Sequence, residues 1–359
     1  MDIQELLGLT IKNAASDLHL LVGRAPTFRI DGTLRYLTTH PALRKDDIEQ
    51  MVFSLLNPEQ KELLLTNKEL DFSFGFHGKG QSTDGSEAGR FRINAYYQQN
   101  NLAAVFRFLA TNIRSIDDLS LPKVCHQFTE LKQGFVLVTG PTGHGKSSTL
   151  AAIINEINIK RAAHILTIED PIEYVYPKGN SIISQREMLI DTHTWNMALR
   201  SALREDPDVV LIGEMRDPET MQSAITLAET GHLVFSTLHT NSAAQSIDRI
   251  VDSFHADQRS QIRIQLAATL KGVISQRLIP KIGGGRIPAV EILLGSPAVA
   301  SNIRDGKSHL IDSVIQTSKE VGMVTIDESL AQLVRNGIVS LDDAKSYALR
   351  EEEFLRLVG

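Results

Sequence analysis

Gly140-Pro141-Thr142-Gly143-His144-Gly145-Lys146-Ser147 is the stretch of this 359-residue sequence that decides the fold. It matches the pattern G-x-x-x-x-G-K-[ST] and follows the apolar run 135–138, which is typical of a buried strand. The glycines let successive backbone N–H groups point inward, and the start of the following helix adds a positive field. A glycine-rich turn with a surface lysine is the alternative, and the flanking strand and helix argue against it. The pattern therefore predicts a phosphate-binding loop.

Two residues of this loop have a specific expected task. Lys146 is expected to contact the β- and γ-phosphates of ATP, and the Ser147 hydroxyl to bind Mg²⁺. The nucleotide-binding set is the whole loop 140–147 together with the next residue, Ser148. His144 occupies a variable position of the pattern, so we expect it to be solvated rather than catalytic.

Apolar runs after residue 134 indicate the architecture around the loop. Largely apolar segments bounded by turns lie at 135–138, 164–168, 209–212 and 233–236. Strands buried on both faces have this composition, and helical segments between them predict an α/β fold with a parallel, doubly wound sheet. The tail from about residue 292 is expected to form small helices, at 298–304, 327–335 and 341–356.

The sequence before residue 112 has a different pattern. Short apolar or alternating runs separated by turns predict a smaller α+β domain with an antiparallel sheet; the runs are 28–30, 70–76, 90–97 and 103–108. A polar, glycine-rich stretch at 78–89 is expected to be a mobile hairpin loop. The predicted organisation is a domain at 1–112, a linker at 113–122 and a second domain at 123–359.

A second motif, Pro207-Asp208-Val209-Val210-Leu211-Ile212-Gly213-Glu214, is an apolar strand that ends in an acid. In folds with a phosphate-binding loop, a carboxylate at this place faces the γ-phosphate and the metal. Gly213 stands where many such proteins have Asp. We therefore expect Mg²⁺ to be bound by Ser147, phosphate oxygens and water, with Glu214 acting on the metal directly or through water.

Two further motifs carry candidate catalytic groups. Three carboxylates lie within the five residues 169–173 at another predicted strand end, and such crowding favours a role in activating water. Glu173 is the candidate general base, which predicts hydrolysis rather than phosphotransfer; a solvated turn is the alternative. The strand 233–238 is flanked by His232 and His239, without the spacing of a metal site. The strand-end position of His239 suits a γ-phosphate sensor.

Composition limits the possible partners. Lys and Arg number 37 against 43 Asp and Glu, so the net charge of -6 does not favour nucleic acid or an anionic membrane. A single cysteine, Cys125, rules out an intrachain disulfide and favours a cytoplasmic location. No apolar run is long enough to span a bilayer, so any membrane association is expected through partners. A DNA-translocating motor is a further alternative, which the acidic balance disfavours.

These four motifs, in this order and spacing, resemble those of the secretion ATPase superfamily, in particular the PilT-like retraction ATPases of type IV pili. The corresponding family motifs are the Walker A, Asp, Walker B and His boxes, here at 140–147, 168–173, 203–217 and 231–241. The resemblance implies a PAS-like N-terminal domain and a RecA-like ATPase domain assembled into a homohexamer. It also implies work on a membrane platform protein at the cytoplasmic face of the inner membrane.

The resemblance also assigns residues. It implies that Arg92 and Arg107 of the small domain serve the nucleotide site, where a guanidinium offsets charge on the γ-phosphate. Arg204 is a third candidate by its position, and His232 of the His box is assigned to nucleotide binding. Without the resemblance, both arginines of the small domain are ordinary surface charges of strands.

The branches of the family differ in chain length and in a signature of the C-terminal tail. Pilus-extension and type II secretion relatives carry a longer N-terminal region and usually a four-cysteine zinc insert, which one cysteine excludes. The retraction signature Ala-Ile-Arg-Asn-Leu-Ile-Arg-Glu corresponds here to Ala298-Val299-Ala300-Ser301-Asn302-Ile303-Arg304-Asp305. The expected function is thus a retraction motor for twitching motility. The alternative is a nucleotide-binding regulatory subunit with little turnover, favoured by the altered signature.

Overall fold

The computed structural model describes residues 2–30, 32–76, 89–109 and 113–359, which fall into two compact units. The first unit is Met1–Asn112 with Asp170–Val175, and the second is Ile113–Glu169 with Tyr176–Gly359. Most of the loop expected at 78–89 lies outside the described residues. The domain limits given above stay predictions.

The elements of the first unit are α1 Ile3–Lys12, β1 Asp17–Leu20, β2 Thr27–Ile30, β3 Thr33–Tyr36, α2 Lys45–Phe53, α3 Pro58–Asn67, β4 Glu69–Phe76, β5 Gly89–Gln98 and β6 Asn101–Leu109. The strands form an antiparallel sheet of order β3-β2-β1-β6-β5-β4. Helix α1 begins where Asp2 accepts the backbone N–H of Gln4, and its Leu6 and Leu7 are buried in the apolar core of the unit.

The elements of the second unit up to its last strand are α4 Gln127–Glu130, β7 Gly134–Thr139, α5 Lys146–Lys160, β8 His164–Glu169, β9 Ile182–Glu187, α6 Trp195–Ala202, β10 Val209–Ile212, α7 Pro218–Glu229, β11 Leu233–Leu238, α8 Ala243–Asp252, α9 Arg259–Thr269, β12 Leu270–Pro280 and β13 Arg286–Leu294. The strands form a seven-stranded sheet of order β13-β12-β7-β11-β10-β8-β9, parallel except for the edge strand β13. The tail adds α10 Pro297–Arg304, α11 Ile311–Thr317, α12 Ile326–Arg335, α13 Leu341–Tyr347 and α14 Glu351–Val358.

Helices cover both faces of this sheet. Alternate residues of β7 enter different clusters: Phe135 and Leu137 pack with α6 to α11, whereas Val136 and Val138 pack with α4 and α5. Since side chains of a strand alternate between faces, the two clusters lie on opposite sides of the sheet. The parallel, doubly wound sheet and the smaller α+β unit predicted from the sequence are confirmed.

Three boundaries differ from the sequence-based expectations. Ile116 and Leu121, within the predicted linker 113–122, are buried in the second unit's core, so this segment packs with that unit. Ile292, where the tail is expected to start, still lies within β13, and the first tail helix, α10, begins at Pro297. The helix expected at 341–356 is two helices, with Asp327 accepting the backbone N–H of Leu349 at 2.8 Å where they separate.

The longest helix in the described part of the chain is α5, with 15 residues. A membrane-spanning helix needs about 20 predominantly apolar residues. Within the described ranges, no helix has both the length and the apolar character to cross a bilayer.

Glu291 on β13 is a buried acid with backbone partners. Its Oε1 accepts the N–H of Ala243, the first residue of α8, at 2.8 Å, and it also bonds the backbone of Ile326 at the start of α12. Burial, with the nearby Asp312 charge, raises the pKa of this carboxyl from its ordinary 4.5 to about 7, although these N–H groups and Arg350 favour the ionised form. The unfolded chain therefore loses this proton at lower pH than the folded chain does.

Glu291→Gln should flatten the pH dependence of stability. Between pH 5 and pH 8 the folded wild type binds more protons at this site than the unfolded chain, so its unfolding free energy falls by about 3 kcal/mol. The amide has no such proton, and urea unfolding at both pH values measures the difference. Glu320→Gln, at an exposed carboxyl, is the matched control. Equal pH dependence in wild type and Glu291→Gln would contradict the shifted pKa.

Candidate functional site

The loop 140–147 connects the end of β7 to the start of α5, at the edge of the sheet where the parallel strands end. Gly140, Gly143 and Gly145 have φ of 143°, 79° and 84°, a region that L side chains rarely adopt. Gly145 caps α5, so the loop leads directly into the positive end of a 15-residue helix. The backbone thus has the form of an anion-binding loop.

Lys146 is the first residue of α5, and its ammonium lies over the loop. Its Nζ donates to the carbonyl oxygens of Gly140 at 2.8 Å and Pro141 at 3.1 Å. Ser147 and Ser148 follow it in the first turn of the helix. This geometry holds the cation above the loop, where it could exchange carbonyl oxygens for phosphate oxygens.

Residues from two other sequence motifs lie beside this loop. His239, which follows β11, lies 3.3 Å through Nε2 from Oε1 of Glu214, which follows β10. Its Nδ1 lies 3.3 Å from the hydroxyl of Thr142 in the loop. A neutral imidazole protonated on Nε2 satisfies both contacts, donating to Glu214 and accepting from Thr142. The structure therefore brings together the loop, Glu214 and His239.

Glu214 is held ionised by its neighbours. Burial opposes the charge, but the hydrogen bond from Arg216 at 3.0 Å, the Arg216 charge and His239 outweigh it and lower the pKa of this carboxyl. Arg216 was not among the predicted site residues, because a basic residue two positions after an acid is an ordinary surface pattern. An ionised carboxylate at this sheet edge can bind a divalent cation or accept a proton.

The three carboxylates of 169–173 are divided between different surroundings. Glu169 is buried in the second unit, where Oε1 accepts the Thr167 hydroxyl at 2.7 Å. Glu173 belongs to the first unit, and its Oε1 lies 4.0 Å from Nη1 of Arg92. Asp170 belongs to the first unit as well, and its charge also acts on Arg92. The role of Glu173 as general base stays a prediction.

The two arginines of the small unit are neighbours across β5 and β6, where Arg92 pairs with Arg107. Arg92 donates to Asp71 through Nε at 3.1 Å, and Arg107 donates to Asp17 through Nε at 3.0 Å. The hydrogen bond to Asp71 raises the pKa of Arg92 further. Each guanidinium thus already has a carboxylate partner within its own unit.

Two predicted residues lie away from the loop. His232 precedes β11 at the edge where β7 begins, and its Nδ1 lies 3.0 Å from the carbonyl oxygen of Leu227. The loop 140–147 follows the other end of β7, so His232 lies away from the loop of its own chain, and its assignment to nucleotide binding stays a prediction. Arg204 is exposed in the turn before β10, whereas Glu214 follows that strand.

His144 differs from the expectation of a solvated side chain. It is half-buried, and its Nδ1 accepts the backbone N–H of Leu278 on β12 at 2.9 Å. Burial and the charges of Arg277, Arg286 and Lys146 lower the pKa of His144, which keeps this nitrogen available as an acceptor. Contacts from β12 to the loop were missed because no motif marks that strand.

Comparison with known proteins identifies the family. The model of the type II/IV secretion system protein family matches residues 87–340. The chain belongs to this family. Other members include the type IV pilus retractation ATPase PilT of Pseudomonas aeruginosa, 45% identical over 354 residues, which are 99% of this chain and all of that protein. A twitching motility protein of Neisseria gonorrhoeae is 45% identical over 91% of this chain and 85% of its own length.

A solved structure of a family member supports the fold. The crystal structure of the pilus retraction motor PilT with bound ADP has a TM-score of 0.89 and 43% sequence identity, covering 99% of each chain. The resemblance to retraction ATPases inferred from the motifs is confirmed.

Proposed function

We propose that this chain is the ATP-hydrolysing motor of type IV pilus retraction and twitching motility, working as a homohexamer on a membrane platform protein. The chain is an ATPase: its family, its P-loop and the ADP-bound neighbour agree. The relatives named as a retractation ATPase and a twitching motility protein carry the pilus assignment. The 45% identity to the retractation ATPase is spread over an alignment that covers 99% of this chain, so the assignment does not rest on the altered stretch Ala298–Asp305.

The observation that supports turnover best is the contact chain from Thr142 through His239 to Glu214. It links the loop expected to hold the γ-phosphate to a carboxylate that is ionised at neutral pH. A change in the phosphate beside Thr142 would therefore alter the contact between Thr142 and the His239 ring. Such a response is the task of a γ-phosphate sensor. This arrangement favours hydrolysis over simple nucleotide storage.

Mg²⁺ fits the oxygen donors at this edge of the sheet. The Ser147 hydroxyl and the ionised Glu214 carboxylate are hard ligands of the kind that Mg²⁺ prefers, with phosphate oxygens and water completing its shell. When bound, the ion neutralises charge on the β- and γ-phosphates. Lys146 adds a second cation on the loop side, and the backbone N–H groups before α5 orient the phosphate chain.

The remaining catalytic roles are proposals. Glu173 would accept the proton of the attacking water, and Arg92 and Arg107 would stabilise charge on the γ-phosphate. Each arginine would have to exchange its present carboxylate, Asp71 or Asp17, for phosphate oxygens. Such an exchange would link nucleotide state to ion pairs of the N-terminal unit.

The partners follow from the proposed task. A retraction motor acts at the pilus base, and the family resemblance names its partner there as the platform protein. The proposed location is the cytoplasm, at the inner face of the inner membrane. The net charge of -6 does not favour direct binding to anionic lipid or to nucleic acid.

Deleting the gene in its own organism tests the function directly. A strain without a retraction motor should assemble more surface pili than wild type and lose twitching, because extension continues without retraction. Electron microscopy counts the pili, and stab-agar zones measure motility. Re-expression of the wild-type chain is the control and should restore both. Unchanged pilus number and motility would reject the retraction assignment.

A further inference from the structure

Strand β12 runs past the end of its parallel neighbour and continues beside the P-loop. Its pairing with β7 ends at Ser275 and Thr139, whose hydroxyl oxygens lie 2.8 Å apart in the buried interior. The rest of β12, residues 276–280, pairs with β13 on one side only. The edge of β12 that pairs with β7 as far as Ser275 therefore lies, beyond that residue, beside the loop that follows β7.

Gln276 is the first residue of this extension, and its side-chain amide makes two hydrogen bonds. Oε1 accepts the hydroxyl of Thr149 on α5 at 2.7 Å, and Nε2 donates to the carbonyl oxygen of His144 at 2.8 Å. The residue is only 3% exposed. A buried amide with both ends satisfied is strongly oriented, since either lost partner would leave an unpaired polar group.

Strand β12 adds three further constraints on the loop. A Cβ on Gly140 would lie 2.3 Å from the carbonyl oxygen of Gln276, and one on Gly145 would lie 2.8 Å from its Nε2. Leu278, two residues further along, donates its N–H to Nδ1 of His144. The loop is thus contacted near its start, at His144 and at its last glycine.

We infer that Gln276 is a positioning residue that holds the P-loop in its phosphate-binding shape before nucleotide arrives. The inference rests on the proposed nucleotide site and adds a residue that no motif identifies. A loop already ordered by protein contacts loses less conformational entropy on binding, so it binds its ligand more tightly. Gln276 touches no phosphate in this role and acts through the shape of the loop.

Gln276→Met tests the role, because Met has a similar volume and neither hydrogen-bonding group. We expect the KM for ATP and the Kd for ADP to rise about 10-fold, as for the loss of one to two hydrogen bonds, with a smaller change in kcat. Gln60→Met is the matched control: Gln60 is a buried amide at the start of α3 that bonds Asn57. It should lower the melting temperature and leave the KM unchanged.

Thr149→Val removes one of the two anchors of Gln276. It should raise the Kd for ADP in the same direction, and its effect should be less than additive with Gln276→Met. A Gln276→Met protein with wild-type KM and Kd but a lowered melting temperature would overturn the inference and leave the ATPase assignment intact. Failure of the wild-type protein itself to bind ADP would instead reject the proposed nucleotide site.

Discussion

Glu214→Gln should reduce ATP turnover by about 100-fold or more while ADP still binds. The amide keeps the size of the side chain and can still accept from Arg216 or His239, but it carries no charge. It can neither attract Mg²⁺ as a carboxylate does nor accept a proton from water. Steady-state phosphate release gives turnover, and fluorescence of a labelled ADP gives binding.

The low pKa of Glu214 sharpens this test. The wild-type carboxylate stays ionised at neutral pH, so the defect should not disappear between pH 6.5 and pH 8. Glu219→Gln, at an exposed acid five residues further along the chain, is the control and should keep wild-type turnover. Turnover that persists in Glu214→Gln would remove this carboxylate from the mechanism and leave Glu173 as the candidate catalytic carboxylate.

The P-loop and the sheet around it were predictable because their signals are local. Glycine spacing fixes the backbone of 140–147, and apolar runs fix buried strands, so both follow from neighbouring residues alone. Glu214 and His239 followed from the same rule, since parallel strands that end together bring their next residues to one edge. That edge is where the structure places them.

The sequence could not show how far apart the residues of one motif lie. The His box contains a whole strand, so its first histidine, His232, and its second, His239, lie at opposite ends of β11. His144 was expected to be solvated because the loop pattern says nothing about what packs against it. A pattern gives residue types in order, whereas burial depends on elements that come later in the chain.

Contacts across long sequence separations were beyond the sequence. Gln276 lies 132 residues after His144 of the loop, and nothing near it distinguishes it from other polar residues of a strand. Only the pairing of β12 with β7 brings it to His144. The ion pairs of Arg92 and Arg107 likewise depend on the register of the small unit's sheet.

Lys146→Ala should weaken ADP and ATP binding by about 100-fold, and turnover should be lost with it. The ammonium is the cation that lies over the loop, 2.8 Å from the Gly140 carbonyl oxygen, and charged hydrogen bonds to phosphate would replace this contact on binding. Alanine is a good helix former, so α5 should remain intact. Isothermal titration with ADP measures the loss.

Lys160→Ala is the matched control, since Lys160 ends the same helix and pairs with Glu156 on its exposed surface. It removes an equal charge from α5 and should leave the Kd for ADP unchanged. Wild-type ADP affinity in Lys146→Ala would mean that the loop is not the phosphate site. Because Lys146→Ala should weaken nucleotide binding and Glu214→Gln should reduce only turnover, the two variants together separate binding of the nucleotide from its hydrolysis.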